Sequence, residues 1–403
     1  MSVPRSVRRV SARRTRGAVR SGLDHLLART SLVRGLRLGL IANPTAVTAG
    51  LVHAAAALHR ARGVKLTALF GPEHGVWADA QDLVEVEDTR DPVTGRPVFS
   101  LYGRTRVPTP AMMSGVDALV FDVQDVGARY YTFVSTMLHA LEACAAHGKV
   151  LIVLDRPNPL GGDALDGNMP EPEYLSFVGL HPILARHGMT VGELALMFRA
   201  ERNLDVELRV VRMRGWTRSM FFEDTGLPWI VPSPNMPTVD TAFVYPGACL
   251  VEGTNLSEGR GTTRPFELVG APWLDPWALA RDLTRDRVPG VLFRPVFFTP
   301  TFHKHAGRPC GGVQVHVTDR DRFPAFLCYL LLVHHARRQA PAKFAWRDPP
   351  YEYEYVKRPI DILCGTPDVR RAIDAGLSPR RLADRWRREQ QAFRRRRAPY
   401  LLY

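Results

Sequence analysis

Short apolar runs, each stopped by a polar cluster bearing glycine or proline, set the rhythm of the first half of the chain. The runs at 37–42, 65–70, 97–102, 117–123, 150–154 and 204–213 read as β-strands, and 150–154 is the most apolar of them. Segments of helical spacing lie between. Residues 19–32 place Leu23, Leu26 and Leu27 on one face, and helices follow at 53–62 and at 131–147, the latter stopped by Gly148. Another opens at Thr190, with Glu193 three residues on as its capping-box partner. Strands alternating with helices predict an α/β architecture, a parallel, doubly wound sheet covered on both faces.

The texture changes after about Trp229. Residues 232–237 form a rigid, proline-rich stretch, and 250–267 is a long polar loop rich in glycine, of the kind that compact domains keep for function. Beyond it, 291–298 and 312–317 read as strands, and 323–338 and 380–396 as helices, the second announced by Ser378-Pro379. The expected organisation is a disordered basic tail at 1–17, an α/β domain at 18–230 and a smaller α+β domain at 231–403, without internal repeats.

Charge adds a question. The chain of 403 residues carries a formal net charge of +14. Much of the excess sits at 5–20 and 380–397, including the run Arg394 to Arg397. Such patches attract polyanions, or they form a basic tail and a solvated helix face. The second reading is preferred, and nucleic acid is not expected as a partner, because no helix-turn-helix, zinc-finger or RNA-binding signature accompanies the arginines. Five scattered cysteines, Cys144, Cys249, Cys310, Cys328 and Cys364, form no C-x-x-C pair and read as reduced, buried thiols. No apolar run is long enough to span a bilayer, so no stable membrane insertion is expected. The arginine-rich start lacks the apolar stretch of a signal peptide, which makes the cytoplasm the expected compartment. There is no G-x-G-x-x-G after a strand, and no P-loop, G-x-S-x-G or H-E-x-x-H motif, so neither cofactor nor metal is expected.

What remains is carboxylates, arginines and asparagines around glycine turns. Clusters at 43–45, 71–75, 124–132 and 155–162 all follow strands, at the edge where open α/β sheets bind ligands. Glu73 and His74, between Gly71-Pro72 and Gly75, are either a general acid with its neighbour or a salt-bridged loop acid beside a capping histidine. Asp125 is either a second carboxylate or the N-cap of the helix that follows. Asn43, Arg129, Tyr130, Asn158 and Asn235 are candidate substrate contacts, whereas Tyr131 reads as packing and Asp155-Arg156 as an internal ion pair. The long loop offers Glu252, Asn255, Glu258, Arg260 and Arg264. Its two arginines suit a bidentate clamp on a carboxylate or phosphate, and the loop equally suits a self-satisfied structural role. His303, Lys304 and His316 are further possible contacts.

Several of these stretches together resemble a known family. Phe70-Gly-Pro-Glu-His-Gly75, Phe121-Asp-Val-Gln-Asp-Val-Gly-Ala-Arg-Tyr-Tyr-Thr132, Leu154-Asp-Arg-Pro-Asn-Pro-Leu-Gly-Gly162, Ser233-Pro-Asn-Met-Pro237, the loop Glu252 to Glu267 and the terminal Tyr400-Leu-Leu-Tyr403 are similar to the NamZ-type exo-β-N-acetylmuramidases. The similarity runs from about Val19 to the last residue. It implies a Rossmann-like domain, a smaller C-terminal domain and an active site in the cleft between them. It further implies a glycoside hydrolase that removes N-acetylmuramic acid from non-reducing ends of peptidoglycan fragments, with Glu73 as the catalytic residue. Arg260 and Arg264 then suit the lactyl carboxylate of the sugar, and the sugar's acetamido group offers an alternative to a second carboxylate. One stretch departs from the family pattern. Commoner members continue Gly-Pro-Glu-His-Gly with Arg-Gly and then Ala-Gly-Glu, whereas this chain reads Val76-Trp-Ala-Asp-Ala-Gln-Asp82, with Asp79 or Asp82 as replacement acids. That departure sustains the alternative of a muropeptide-binding protein without turnover. Export is common in the family.

Overall fold

The computed structural model of the protein describes residues 18–77 and 89–403. The basic tail at 1–17 and the acids Asp79 and Asp82 lie outside the described residues.

The first lobe is built on a seven-stranded sheet: β1 (Arg37–Ala42), β2 (Lys65–Gly71), β3 (Thr89–Arg90), β4 (Pro97–Ser100), β5 (Ala118–Asp122), β6 (Val150–Leu154) and β7 (Leu208–Val211). Their order is β3-β4-β2-β1-β5-β6-β7. Every neighbouring pair is parallel except the edge pair β3/β4. From β4 onward this is the doubly wound order of Rossmann-like sheets, with its reversal between β1 and β5.

Helices α1 (Gly22–Ala28), α2 (Ala54–Arg60), α3 (Pro110–Met113), α4 (Phe133–Ala146) and α5 (Val191–Glu201) intervene. Strand side chains alternate between two cores. Leu38, Leu40, Leu69 and Val120 pack with Leu23, Leu26 and Leu58 of α1 and α2. Ile41, Phe70, Phe121 and Val153 pack with Leu138, Leu141 and Leu194 of α4 and α5. A Cβ on Gly39 in β1 would stand 2.6 Å from the Phe70 ring, so only glycine lets that ring cross the strand.

The second lobe holds an antiparallel sheet of order β8-β10-β9, made from β8 (Leu268–Ala271), β9 (Val291–Phe298) and β10 (Cys310–Val317). Around it lie α6 (Val239–Ala248), α7 (Pro276–Arg285), α8 (Ala325–Gln339), α9 (Pro359–Cys364), α10 (Asp368–Asp374) and α11 (Ala383–Arg397). Periodicity finds β9, β10, α8 and α11. It misses α6, which is buried at every position but Asp240 and carries Pro246 inside it, so neither an amphipathic stripe nor helix propensity marks it. It also misses β8 and the 3₁₀ turn Cys249–Gly253, which give structure to the two ends of the polar loop.

One core cluster runs from Phe70 of the first lobe to Phe326 and Phe393 of the second. The chain then turns back. Arg397 is buried and donates to the His187 and Gly188 carbonyls. Arg396 pairs with Glu201 at 2.5 Å. Two arginines of the terminal run are therefore docked on the first lobe, which corrects the solvated-face reading for them. The Leu402 amide donates to Glu193, and the Tyr403 hydroxyl donates to Asp155 at 2.8 Å while accepting from the Met213 amide at 2.9 Å. The expected Asp155–Arg156 pair is also corrected. Arg156 pairs with Asp122 at 2.6 Å, and the Asp155 carboxylate takes Thr190, Gly192 and Tyr403 as donors.

Burial pushes the Asp155 carboxyl up to about 6, against the donors from Gly192, Thr190 and Tyr403. Its folded pKa thus exceeds its unfolded value near 4, so its stabilising contribution is complete below about pH 4 and fades as pH rises through about 6. Tyr403→Phe removes one donor to the charged carboxylate and orphans the Met213 amide. Urea unfolding of that variant should show a loss of about 1–3 kcal/mol, larger at pH 8 than at pH 4.

Candidate active site

Parallel strands carry their ends to one edge, and β2 delivers the first acid there. Gly71 leads into the turn closed by the Gly75 amide donating to the Pro72 carbonyl at 2.9 Å. His74 at φ 67° and Gly75 at φ 81° make that turn left-handed. Glu73 at its crest is 7% exposed. Its Oε2 accepts the Thr132 hydroxyl at 2.5 Å. Thr132 is the N-cap of α4, yet it makes no capping bond with its side chain, so the hydroxyl is free for the glutamate. The neighbouring Tyr131 hydroxyl donates to Ser233 at 2.9 Å, and its ring meets Tyr245 edge-on.

The second lobe supplies the facing wall. Glu252, on the 3₁₀ turn Cys249–Gly253, accepts from Arg260 at 3.0 Å and from the Tyr351 hydroxyl at 2.7 Å. Behind Arg260 sits the fully buried Glu258, ringed by Lys304 at 2.9 Å, His303 at 3.0 Å and Arg260 at 3.3 Å. Burial alone would raise the Glu258 carboxyl, but Lys304, the His303 bond and Arg260 hold it below the ordinary range. The Arg260 guanidinium is thus fixed between two carboxylates, with the Phe266 ring 5.1 Å away. Glu352 adds another acid from a loop where it and Tyr353 both adopt positive φ, 46° and 64°. Its Oε2 accepts from the Tyr102 hydroxyl at 3.2 Å. Burial and the charges of Glu73 and Glu352 push that hydroxyl far above its ordinary pKa, which keeps it a donor.

These walls enclose a cleft of about 50 Å³ lined by Glu73, His74, Tyr130 and Thr132 from one side and by Asn235, Glu252, Arg260 and Glu352 from the other. Among the described residues, no group of three or more histidine, cysteine or acidic side chains converges as a metal site.

Of the residues singled out from sequence, Glu73, His74, Tyr130, Asn235, Glu252 and Arg260 line this cleft, and Glu258 braces it. Tyr131, read as packing, lines it too. Six others are spent elsewhere. Asn43 accepts from Thr45 and donates to the Pro232 carbonyl. Asp125 accepts the Gly127 amide at 2.7 Å and lies 3.5 Å from His187 Nε2, so it is neither a cleft carboxylate nor the cap of α4. Arg129 is buried against three carbonyls, those of Asn168 at 2.6 Å, Ile183 at 2.9 Å and Leu363 at 2.9 Å. Asn158 closes its own turn to Leu160 and bonds the Met189 carbonyl. Asn255 pins residues 343 and 345. Arg264 is half exposed, 3.4 Å from Glu267, and outside the cleft, so the expected two-arginine clamp is reduced to Arg260. His303 and Lys304 support Glu258 rather than a ligand. The residues missed are Thr132, Tyr351 and Glu352. The alternation of aromatic and acidic residues after Pro349-Pro350 was the available signal for the last two.

Comparison with known proteins agrees with this layout. Two family models match in succession, Exo-beta-N-acetylmuramidase NamZ, N-terminal, over residues 38–240, and the corresponding C-terminal model over 243–403. The chain is 47% identical over 387 residues to the peptidoglycan beta-N-acetylmuramidase NamZ of Bacillus subtilis strain 168, covering 96% of this chain and 91% of that one. Two crystal structures of DUF1343 family proteins from Bacteroides fragilis NCTC 9343 share the fold. One has a TM-score of 0.87 and 36% identity over 96% of this chain and all of its own; the other has 0.75 and 30%, covering 96% and 99%.

The assignment of Arg129 to structure rather than ligand is testable. Arg129→Met leaves three buried carbonyls without a donor and should cost about 3 kcal/mol or more, read as a lower denaturant midpoint.

Proposed function

The chain belongs to the NamZ family of exo-β-N-acetylmuramidases, and from that premise we propose that it hydrolyses the terminal N-acetylmuramyl linkage of peptidoglycan fragments with Glu73 as general acid. The enzyme is a glycoside hydrolase, and peptidoglycan-derived glycan is its substrate class. The observation that carries the assignment of Glu73 is its position on a strand-end turn, facing a cleft whose other wall belongs to the second lobe.

Cleavage requires a proton on the leaving oxygen as the C1–O bond breaks. Glu73 suits that task by position, because the Thr132 hydroxyl donating to Oε2 holds the carboxyl against the wall of the cleft. Arg260 offers a fixed cation for the lactyl carboxylate that distinguishes muramic acid from other amino sugars. The anomeric carbon is then attacked by water directly, or by the sugar's own acetamido oxygen to give a cyclic intermediate whose C1–O bond water breaks in a second step. Glu352 serves either course, as base toward the water or as acceptor for the acetamido N–H. The support for this role is that it lines the same cleft and is held by the neutral donor Tyr102.

Glu73→Gln should leave the fold intact by circular dichroism and lower turnover of a chromogenic N-acetylmuramide by roughly 10²–10⁴-fold. Near-wild-type turnover would sink the assignment. Glu352→Gln keeps the bond from Tyr102 and should lower kcat by about 10²-fold or more with KM nearly unchanged. An unaltered kcat would remove Glu352 from the reaction.

A further inference from the structure

A roomier cavity than the cleft, about 370 Å³, lies on the outer side of the second lobe. Its walls come from α7, from the edge strand β9 and from the far end of the same loop that supplies Glu252 and Arg260. Two aromatic rings stand in the open there. Trp277 is 60% exposed and Phe297 is 64% exposed, with centroids 5.5 Å apart. Two cations flank them. Arg264, which the cleft does not use, has Glu267 at 3.4 Å as its one carboxylate partner among the described residues. Arg294 bonds the neutral Gln314 at 2.5 Å, and among the described residues it has no carboxylate partner. The local field is positive enough that, after burial, Arg294 and Arg264 together hold the nearby His316 below its ordinary pKa.

This chemistry selects its ligand. Exposed aromatic faces take the apolar faces of pyranose rings, and under-paired guanidiniums take carboxylates. A second copy of the chain adding a strand is disfavoured, because β9 carries Arg294 and Pro295, two devices that block pairing along an edge. We propose that this cavity is a surface subsite for the glycan strand itself. A sugar stacks on Trp277 and Phe297, and an anionic muramyl or stem-peptide group sits on Arg264 and Arg294. The inference rests on the peptidoglycan reading above, which supplies a polymer long enough to occupy the cleft and a second site together. Loop 252–267 joins the two: it gives Glu252, Arg260 and Phe266 to the cleft, and Thr263 and Arg264 to the subsite.

The experiment is co-sedimentation of the full chain with purified, insoluble peptidoglycan sacculi, in a Glu73→Gln background so that strands stay whole. Chromogenic muramide turnover is measured on otherwise wild-type enzyme. Trp277→Ala and Arg294→Gln should each weaken sacculus binding by about tenfold, the scale of one aromatic or charged contact. Trp277→Tyr should retain most of it, and all three should leave muramide turnover unchanged. Raising salt should weaken binding of the parent protein more than that of Arg294→Gln. Sacculus binding by Trp277→Ala equal to the parent's overturns the subsite while the hydrolase reading stands. So does a change from dimer to monomer in sedimentation velocity, which would make this face an interface between copies. A wild-type chain that neither releases sugar from the muramide nor binds sacculi fails the hydrolase reading itself.

Discussion

The cleft exists in its present shape because one guanidinium is buried beneath it. Arg129 follows the β5 turn directly and precedes Tyr130, Tyr131 and Thr132, the residues that form one wall. Its donors reach two carbonyls of the first lobe, Asn168 and Ile183, and one of the second, Leu363 at the end of α9. Helix α9 in turn lies against the 3₁₀ turn that carries Glu252, so closely that a Cβ on Gly253 would stand 2.8 Å from Ile360. Burial pulls the Arg129 guanidinium below its ordinary pKa, and the three carbonyls are what offset that cost. The position of Glu252 relative to Thr132, and hence to Glu73, passes through this cation.

The opposite wall solves a harder electrostatic problem. Glu252, Arg260, Glu258 and Lys304 form one chain of charges, most of it removed from water, with the His303 ring against Glu258. Such a chain is a poor source of stability, because desolvation consumes much of the attraction. It makes better sense as positioning. Two carboxylates grip Arg260 from different sides, so its guanidinium has little freedom left and can meet an anion without further ordering. Glu258 has no place in the cleft, yet it keeps Arg260 from collapsing wholly onto Glu252.

Much of this was legible in the sequence. Parallel topology turns each strand-end motif into an edge motif, so Glu73 could be found from an apolar run that stops at Gly71-Pro72. The limits are equally physical. Asn43, Asp125 and Asn158 are the residue types a ligand site uses, and they also stand at strand ends, but each side chain closes a turn two residues on. Composition cannot separate a polar group facing a ligand from one folded back on its own backbone. Glu352 escaped for the opposite reason. It sits on a loop with no regular element to mark it, remote in sequence from Glu73, and only the packing of the two lobes brings them to one cleft.

Local preference is broken where the lobes meet, and that pattern bears on function more directly than residue type. Of the nine non-glycine residues with positive φ among the described ones, His74, Phe266 and Glu352 line the cleft, Tyr353 adjoins it and His303 holds Glu258. Each costs roughly 1–2 kcal/mol relative to the right-handed regions. Thr132 adds to that cost by leaving α4 without a side-chain cap, worth about 1 kcal/mol, in order to bond Glu73. A fold selected for stability alone would place glycine or asparagine at these turns and keep the cap. The turns instead carry an imidazole, a phenyl ring and a carboxylate, all aimed at one cavity, and the threonine spends its hydroxyl on an acid. The surrounding core is what makes such strain sustainable, and its concentration around Glu73 is an argument for chemistry there that rests on neither motif nor homology.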